Sequence, residues 1–543
     1  MRLAAMAVFA AALALPAAPG PAGLRAARAA DLNLAVGGAF SAMDPHYHDL
    51  SPNHALTQHI FEQLVMTDSR MRPIPGLALS WEALNDNLWE VRLRRGVIWH
   101  DGSPFTADDV VFTYSRIPHV INSPTSLARY TQVVSRIEVI DDHTIRLHTP
   151  TPVPLMPMML GAFTIISRRH GTGALTSDYN SGRAAIGTGP YRFVSYAPGD
   201  RAVFARHPGW WGPTQAWDRV TYRMIPNDSA RVAALRAGDV DAIDAVPTRD
   251  VAALRRSGNL RIVEKPGLRL IYLYVDVNRP VTPFVTDHNG RAMTVNPLAD
   301  VRVRRALSIA INRPGMARQL MEGFAVPTGQ LMPEGALGYD PTIPVPAHDV
   351  EGARRLLAEA GYPQGFRITL NGPNDRYVND AEIVQAIAQF WTRIGVRTEV
   401  ATMPASMFFS RGLRDEYSVS LTGWSSSTGE ADTSLTAMSA TPDPPRGRGS
   451  ALRPSHYTNP AVDALIDRAL ATIDTRQREA LYQQAIRDSI QRDIAVIPLH
   501  HQVNIWATKP ALTYSPRMQE LTRAMEFSPV TGAVAGAGGP ARN

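Results

Sequence analysis

Cysteine is absent from all 543 residues, and lysine occurs only at Lys265 and Lys509, each followed by proline. A chain without cysteine has no thiolate nucleophile, no CxxC redox pair, no cysteine-ligated zinc or iron–sulfur cluster and no disulfide. It also has no cysteine to carry a lipid anchor. With two Lys-Pro steps as its whole lysine content, it has neither a phosphate loop ending in GK[ST] nor an SxxK nucleophile. Charged residues are scarce, at 19%, while 45% are apolar. That proportion excludes disorder, and the length exceeds what one hydrophobic core supports, so two or three packed domains are expected.

The 55 basic residues outnumber the 49 acidic ones, giving a formal charge of +6. Arg2, Arg25 and Arg28 lie in the first thirty residues, which hold no acid, leaving 52 basic against 49 acidic groups in the remainder. Those arginines mostly alternate with acids. A nucleic-acid face needs clustered positive charge, so no nucleic-acid partner is expected. The sequence holds no GxSxG elbow, no HExxH and no EF-hand loop. A pair of glycosidase carboxylates can be distant in sequence, so a secreted hydrolase stays open on motifs alone.

Met1-Arg2, the apolar run Leu3 to Ala18, and a Pro/Gly/Ala stretch ending near Ala30 form the three parts of a secretory signal. The run is shorter than the roughly 20 residues that span a bilayer, and Pro16, Pro19 and Gly20 break it. A cleaved leader over residues 1–30 is expected, with an exported mature chain that stays free in the periplasm.

From Asp31 onward the pattern is mixed α and β. Period-two alternation predicts strands at Trp89–Arg94, Ile137–Ile140 and Thr144–His148, the last two joined by a turn at Asp141–His143. Thr106 as N-cap and acids at Asp108 and Asp109 predict a helix over Ala107 to Ser115. Gly187-Thr-Gly-Pro190 reads as a tight turn before a strand at Tyr191–Tyr196. Helical stripes predict helices over Asp300–Asn312, stopped by Pro314, and over Val350–Ala360, closed by Gly361. A strand (Phe366, Ile368, Leu370), a loop from Asn371 to Val378, a helix from Asp380 to Ile394 and a strand Val396–Thr402 form a βαβ unit. Ligands of such sheets lie beyond the carboxyl ends of the strands. Here that end carries Asn374, Asp375, Arg376, Tyr377 and Asn379. A further strand, Tyr417–Gly423, leads into Trp424-Ser-Ser-Ser-Thr-Gly-Glu-Ala-Asp432; if the two strands are parallel neighbours, both loops open onto one cleft. Pro442–Pro454 reads as an exposed loop. Two helices follow (Ala461–Ile473, Arg476–Ile490), then a buried strand, Ala495–Leu499. His46, His48, His54 and His59 with Asp44 and Asp49 lie in and beside a loop, which suits a pocket wall or solvated loop better than a metal site, and no cofactor is expected.

The run from Trp89 to Val110, WEVRLRRGVIWHDGSPFTADDV, closely resembles the signature segment of family 5 extracellular solute-binding proteins, the receptors of ABC importers for oligopeptides, dipeptides and nickel. Gly187–Tyr191, Asp300–Asn312, Ala358–Pro363 and Gly423-Trp424 are also similar to landmarks of that family, in its order. The resemblance implies an α/β, two-lobed periplasmic-binding-protein fold of three subdomains, with a hinge and an inter-lobe ligand cleft. It places the main part of lobe I at residues 31–60, 186–297 and 503–543, an additional subdomain at 61–185, and lobe II at 298–502. It implies a monomeric, non-enzymatic receptor that closes over a small peptide or peptide-like solute and delivers it to membrane permease subunits.

In peptide-binding members an aspartate three residues after the Gly-Trp tryptophan pairs with the ligand's ammonium; here Ser427 stands there. A hydroxyl supplies no charge-assisted bond. The string Gly423 to Asp432 is similar to that of the glutathione-binding member, which points toward glutathione-like solutes. A non-peptide solute, of sugar, opine or metal-chelate type, is the alternative. Arg376 fits a position where a dipeptide receptor holds the ligand carboxylate. The resemblance and the loops together nominate Arg376, Tyr377, Asn379, Trp424, Ser427 and Glu430, faced by Tyr47 and Asn53 from the other lobe. Asp432 is alternatively a cap for the helix that follows it.

Overall fold

The structure is a computed structural model that describes residues 30–443, 448–449 and 456–530. The expected leader, up to residue 29, and most of the Pro442–Pro454 loop lie outside the described residues.

Two long strands organise the molecule. Arg261–Val275 and Val496–Thr508 pair antiparallel along most of their length. At one end, Val496–Thr508 pairs with Ala242–Ile243, which continues through Asp31–Val36, Arg219–Met224, Arg201–Arg206 and Tyr191–Ala197. At the other end, Arg269–Val275 pairs with Val419–Ser425, which runs parallel to Phe366–Pro373, itself parallel to Arg397–Met403. One sheet therefore runs through both lobes. Leu268 and Leu270 to Val275 are all buried; such a run is what a strand covered on both faces requires. The register breaks between Pro266 and Leu270. Pro266 cannot donate to the ladder, and Gly267 lies tight against the Asn504 side chain.

The cores follow the same division. Leu32, Leu34, Phe61, Tyr191, Phe204, Tyr222 and Trp506 form one buried cluster, and Leu270, Ile271, Leu307, Ile368, Ile383, Trp391, Leu421 and Val496 another. Residues from Leu64 to Ile165 form a third, around the four-stranded antiparallel sheet Ala78–Asn85, Leu88–Leu93, Thr144–His148, Arg136–Asp141. Leu268, Leu270 to Val275, Val277 and Val285 pack in the same cluster as Leu307 and Leu370, and Ile166, Tyr179, Ala184 and Ala185 pack with Leu32 and Phe61.

The helix Ala107–Arg116 forms as expected, with Thr106 as N-cap and the Asp109 carboxylate accepting the Thr106 N–H. Asp300–Asn312 is shorter than expected. The helix spans Val301–Ile309, capped by Asp300, and Asn312 caps a second helix, Arg313–Gln319. Pro314 begins that second helix, where its missing N–H costs nothing. Thr188 to Pro190 bend the chain into the strand Tyr191–Ala197, and Gly187 and Gly189 also lie in close contact with a neighbouring segment. A Cβ on either would overlap the Ile60 carbonyl, to which the Gly189 N–H donates at 2.8 Å. The strand expected at Ala495–Leu499 is only the start of Val496–Thr508, which returns to lobe I.

Candidate functional site

The βαβ unit builds one wall of a cleft between the lobes. Its loop, Asn374–Asn379, leads into the helix Asp380–Arg393, and the Asp380 carboxylate accepts the backbone N–H groups of Arg376 and Tyr377, both at 2.9 Å. The loop is thereby fixed, while the Arg376 guanidinium stays exposed, 5.1 Å from the Tyr377 ring, without an ion pair or side-chain hydrogen bond among the described residues. The Tyr377 hydroxyl lies 3.3 Å from both Thr422 Oγ1 and the Gly423 carbonyl oxygen, joining this loop to the end of the neighbouring parallel strand. Asn379, left-handed at φ 55°, donates from Nδ2 to the Leu320 carbonyl at 2.9 Å and to Thr248 Oγ1 of lobe I at 3.4 Å.

The cleft measures about 680 Å³, within the roughly 300–1,000 Å³ range of small-ligand sites. Lobe I contributes Gly37, Pro52 and Asp244–Arg249, lobe II contributes Phe324 and the loop Asn374–Asn379, and Gln502–Trp506 of the long strand form its back. Much of its charge is spoken for. Arg231 bonds Asp228 and the carbonyls of Ile225 and Ala245. Burial raises the Asp244 carboxyl above its ordinary range, against the pull of the Gly37 N–H and Arg231. Glu520 faces Arg269 through two hydrogen bonds, 2.7 and 2.9 Å. Burial pushes Glu520 up, yet the charge and hydrogen bonds of Arg269, with the more distant charge of Arg376, hold it below the usual carboxylate range. Two guanidinium groups thus address one carboxylate, and Arg376 keeps a free face.

Of the residues nominated from sequence, Arg376, Tyr377 and Asn379 line this cleft. Trp424 and Ser427 do not line it; they lie beyond Gly423. The Trp424 indole packs partly buried against the lobe II core, its N–H without a partner among the described residues, and Ser427 is exposed on the following loop. The two loops sit on adjacent parallel strands, but Thr428–Glu430 line a separate cavity of about 800 Å³ against the small subdomain, so they do not open onto one space. Glu430 is no free anchor. Its carboxylate is gripped by Arg478 through two bonds of 2.9 Å and approached by the Tyr482 hydroxyl at 3.3 Å. Asp432 is the first residue of the helix Asp432–Met438, not its cap, and burial raises its carboxyl to about 7. Asn53 is buried and turned inward, its Oδ1 accepting the Ser41 N–H and its Nδ2 donating to Ser41 Oγ. Tyr47 is half-buried, with its carbonyl accepting Ser123 Oγ; Ser51 and Pro52 are the parts of that segment that reach the cleft. The histidines do not converge: His46 bonds the Thr164 carbonyl, His48 Ser41, His54 Asp49, and His59 the Leu56 carbonyl.

Sequence reasoning missed Arg269, Glu520 and Thr248. Arg269 stands at the head of the apolar run Leu270–Val275, a lone cation before a buried strand, which is a detectable signal. Glu520 has none, because its partner is 251 residues away.

Residues 72–444 match the model of bacterial extracellular solute-binding proteins, family 5 Middle. The chain is 29% identical to the glutathione-binding protein GsiB of Pectobacterium atrosepticum, over 89% of this chain and 91% of that protein. It is 27% identical to the dipeptide-binding protein of Escherichia coli K12, over 76% and 78% respectively. Among solved structures, HbpA2 from Haemophilus parasuis superposes with a TM-score of 0.78 at 23% identity, covering 92% of this chain and 99% of that one. The two-lobed fold is common to them.

Proposed function

The chain belongs to the family 5 bacterial extracellular solute-binding proteins, and on that premise we propose that it captures a small peptide-like solute in the periplasm and delivers it to the permease of an ABC importer, without turnover of its own. The observation that carries the reading is the exposed, unpaired guanidinium of Arg376 on the wall of a cleft between lobes. A guanidinium fork suits a carboxylate, and contacts from both lobes to one solute drive closure. Ser427 and Glu430 lie outside this cleft, and Glu430 is held by Arg478. A cleft that offers the Arg376 guanidinium together with carboxylates such as Asp375 and Glu382 suits a zwitterionic, carboxylate-bearing solute, as glutathione is. The relatives named for glutathione support the same choice.

Mass spectrometry of solute that co-purifies after native export, followed by calorimetry with reduced glutathione and a dipeptide panel, tests this. A carboxylate-bearing peptide is the expected cargo; an uncharged saccharide or a metal chelate would refute it. Arg376→Ala should weaken a carboxylate solute by about 2 kcal/mol or more. An unchanged affinity would remove Arg376 from the site.

A further inference from the structure

Met71 belongs to the small subdomain by sequence but packs in the lobe II core, where it is 4% exposed. Its backbone is left-handed, φ 67°, and it meets Gly429, also left-handed at φ 75°, so closely that a Cβ on Gly429 would collide with the Met71 side chain. A non-glycine residue keeps such a backbone only where its surroundings enforce it. Here two sets of contacts do so. Asp68 folds the turn, its Oδ1 accepting the N–H groups of Arg70 and Arg72 at 2.8 and 3.0 Å. The C-terminal segment then fastens it: Arg517 donates to Thr67 Oγ1 and the Asp68 carbonyl, both at 2.9 Å, and Met518, which packs in the same core as Met71, donates its N–H to the Ser69 carbonyl at 3.1 Å. The Met518 carbonyl in turn accepts the Leu268 N–H and Asn504 Nδ2, one from each long strand.

We infer that Met71 is a positioning residue for the loop Ser425–Asp432, and that its seat on Gly429 latches the small subdomain to lobe II when the lobes are closed. The role assigned to that loop rests on the function proposed above; the latch itself does not. Arg517 also pairs with Glu526, beside Ala524 and Phe527 of the lobe I core, so rotation of lobe II about the long strands should strain the seat of Met71 on Gly429. The seat is reversible: a methionine side chain is flexible, and the adjacent cavity of about 800 Å³, lined by Met71, Gly429, Trp81 and Leu337, gives it room to leave. On the loop side Gly429 donates to Ser426 Oγ at 3.0 Å and accepts the Leu337 N–H at 3.2 Å, so freeing it loosens the loop that carries Ser427.

Met71→Gly keeps the left-handed turn and deletes the plug. Hydrogen–deuterium exchange on the full chain should then show amides from Ser426 to Glu430 exchanging roughly ten-fold faster, with the Asp31–Val36 strand unchanged. Unchanged loop exchange overturns the inference, as does faster exchange everywhere with a lower melting temperature, which would make Met71 an ordinary core residue. Gly429→Ala should loosen the same loop, and combining it with Met71→Gly should add less than the sum of the two; strict additivity also overturns it. With reduced glutathione as probe, Met71→Gly should release it several-fold faster. If the wild-type protein binds no glutathione, the proposed solute fails while the exchange result still decides the latch.

Discussion

Arg269 and Arg376 stand in different relations to one carboxylate. Arg269 is nearly buried and held to Glu520 by two hydrogen bonds; Arg376 acts on Glu520 only through its charge and faces the cleft. Glu520→Gln preserves shape but leaves both cations uncompensated. Dicarboxylate solutes should bind more tightly and with a steeper salt dependence, read by calorimetry at two ionic strengths. Melting should show a loss of about 1–2 kcal/mol, less than for a fully buried pair because the Glu520 side chain is 37% exposed. An unchanged salt slope would contradict the assignment of Glu520 as the charge that tempers the cleft. Arg376, Tyr377 and Asn379 were legible in the sequence because a βαβ unit presents its loop at a known end of the sheet. Glu430 is gripped by Arg478, and no local pattern announces such a long-range pairing. The Asn53 amide is likewise engaged, by Ser41 and the Ala42 carbonyl.

At the scale of elements, what local chemistry dictates was legible: the capped helix Ala107–Arg116, the hairpin Arg136–His148 and the parallel pair around Asp380–Arg393. The long strands were not legible as crossings. Their apolar runs look alike on either side of the lobe change, and only pairing with Val419–Ser425 at one end and Ala242–Ile243 at the other distinguishes them. Gly187 and Gly189 show a related limit, since glycine in sequence signals permissive dihedrals and equally signals close approach. Here the second holds, and it makes a prediction. Gly187→Ala must displace the Ile60 backbone, which joins lobe I to the small subdomain, whereas Gly238→Ala meets no atom within contact range and disturbs only a left-handed helix terminus. The first should cost about 3 kcal/mol or more and the second about 1 kcal/mol in denaturant unfolding. Equal losses would show that conformation alone, and not the Ile60 contact, selects glycine at 187.

The whole molecule carries an acid sensitivity that follows from where its titratable groups are buried. His46, His59, His500 and His501 are at most 4% exposed, and burial lowers the first three to about 4 and the last to about 3. The unfolded chain protonates these rings near 6.5, so between about 6.5 and 4 it binds protons that the folded protein refuses, and stability falls as pH falls. Glu62 and Asp432 oppose this. Burial raises both to about 7, so the folded protein holds their protons while the unfolded chain has released them above about 4.5, and stability rises as pH falls through the same window. His100, which burial lowers to about 3, acts with these four rings, so five groups oppose two and leave a net loss of about 3 kcal/mol per pH unit near pH 5.5. Calorimetric melting from pH 7.5 to pH 4.5 should therefore show a falling transition temperature, with His501→Phe flattening the slope and Glu62→Gln steepening it below pH 7. A flat profile, or one that rises toward acid, would mean that the two carboxyls outweigh the five rings. His500 and His501 sit on Val496–Thr508 where it passes between lobes, paired with Leu270, Ile271, Val326 and Pro327. The proton cost thus falls on the strand the lobes share, and acid should separate their unfolding transitions less than it lowers them both.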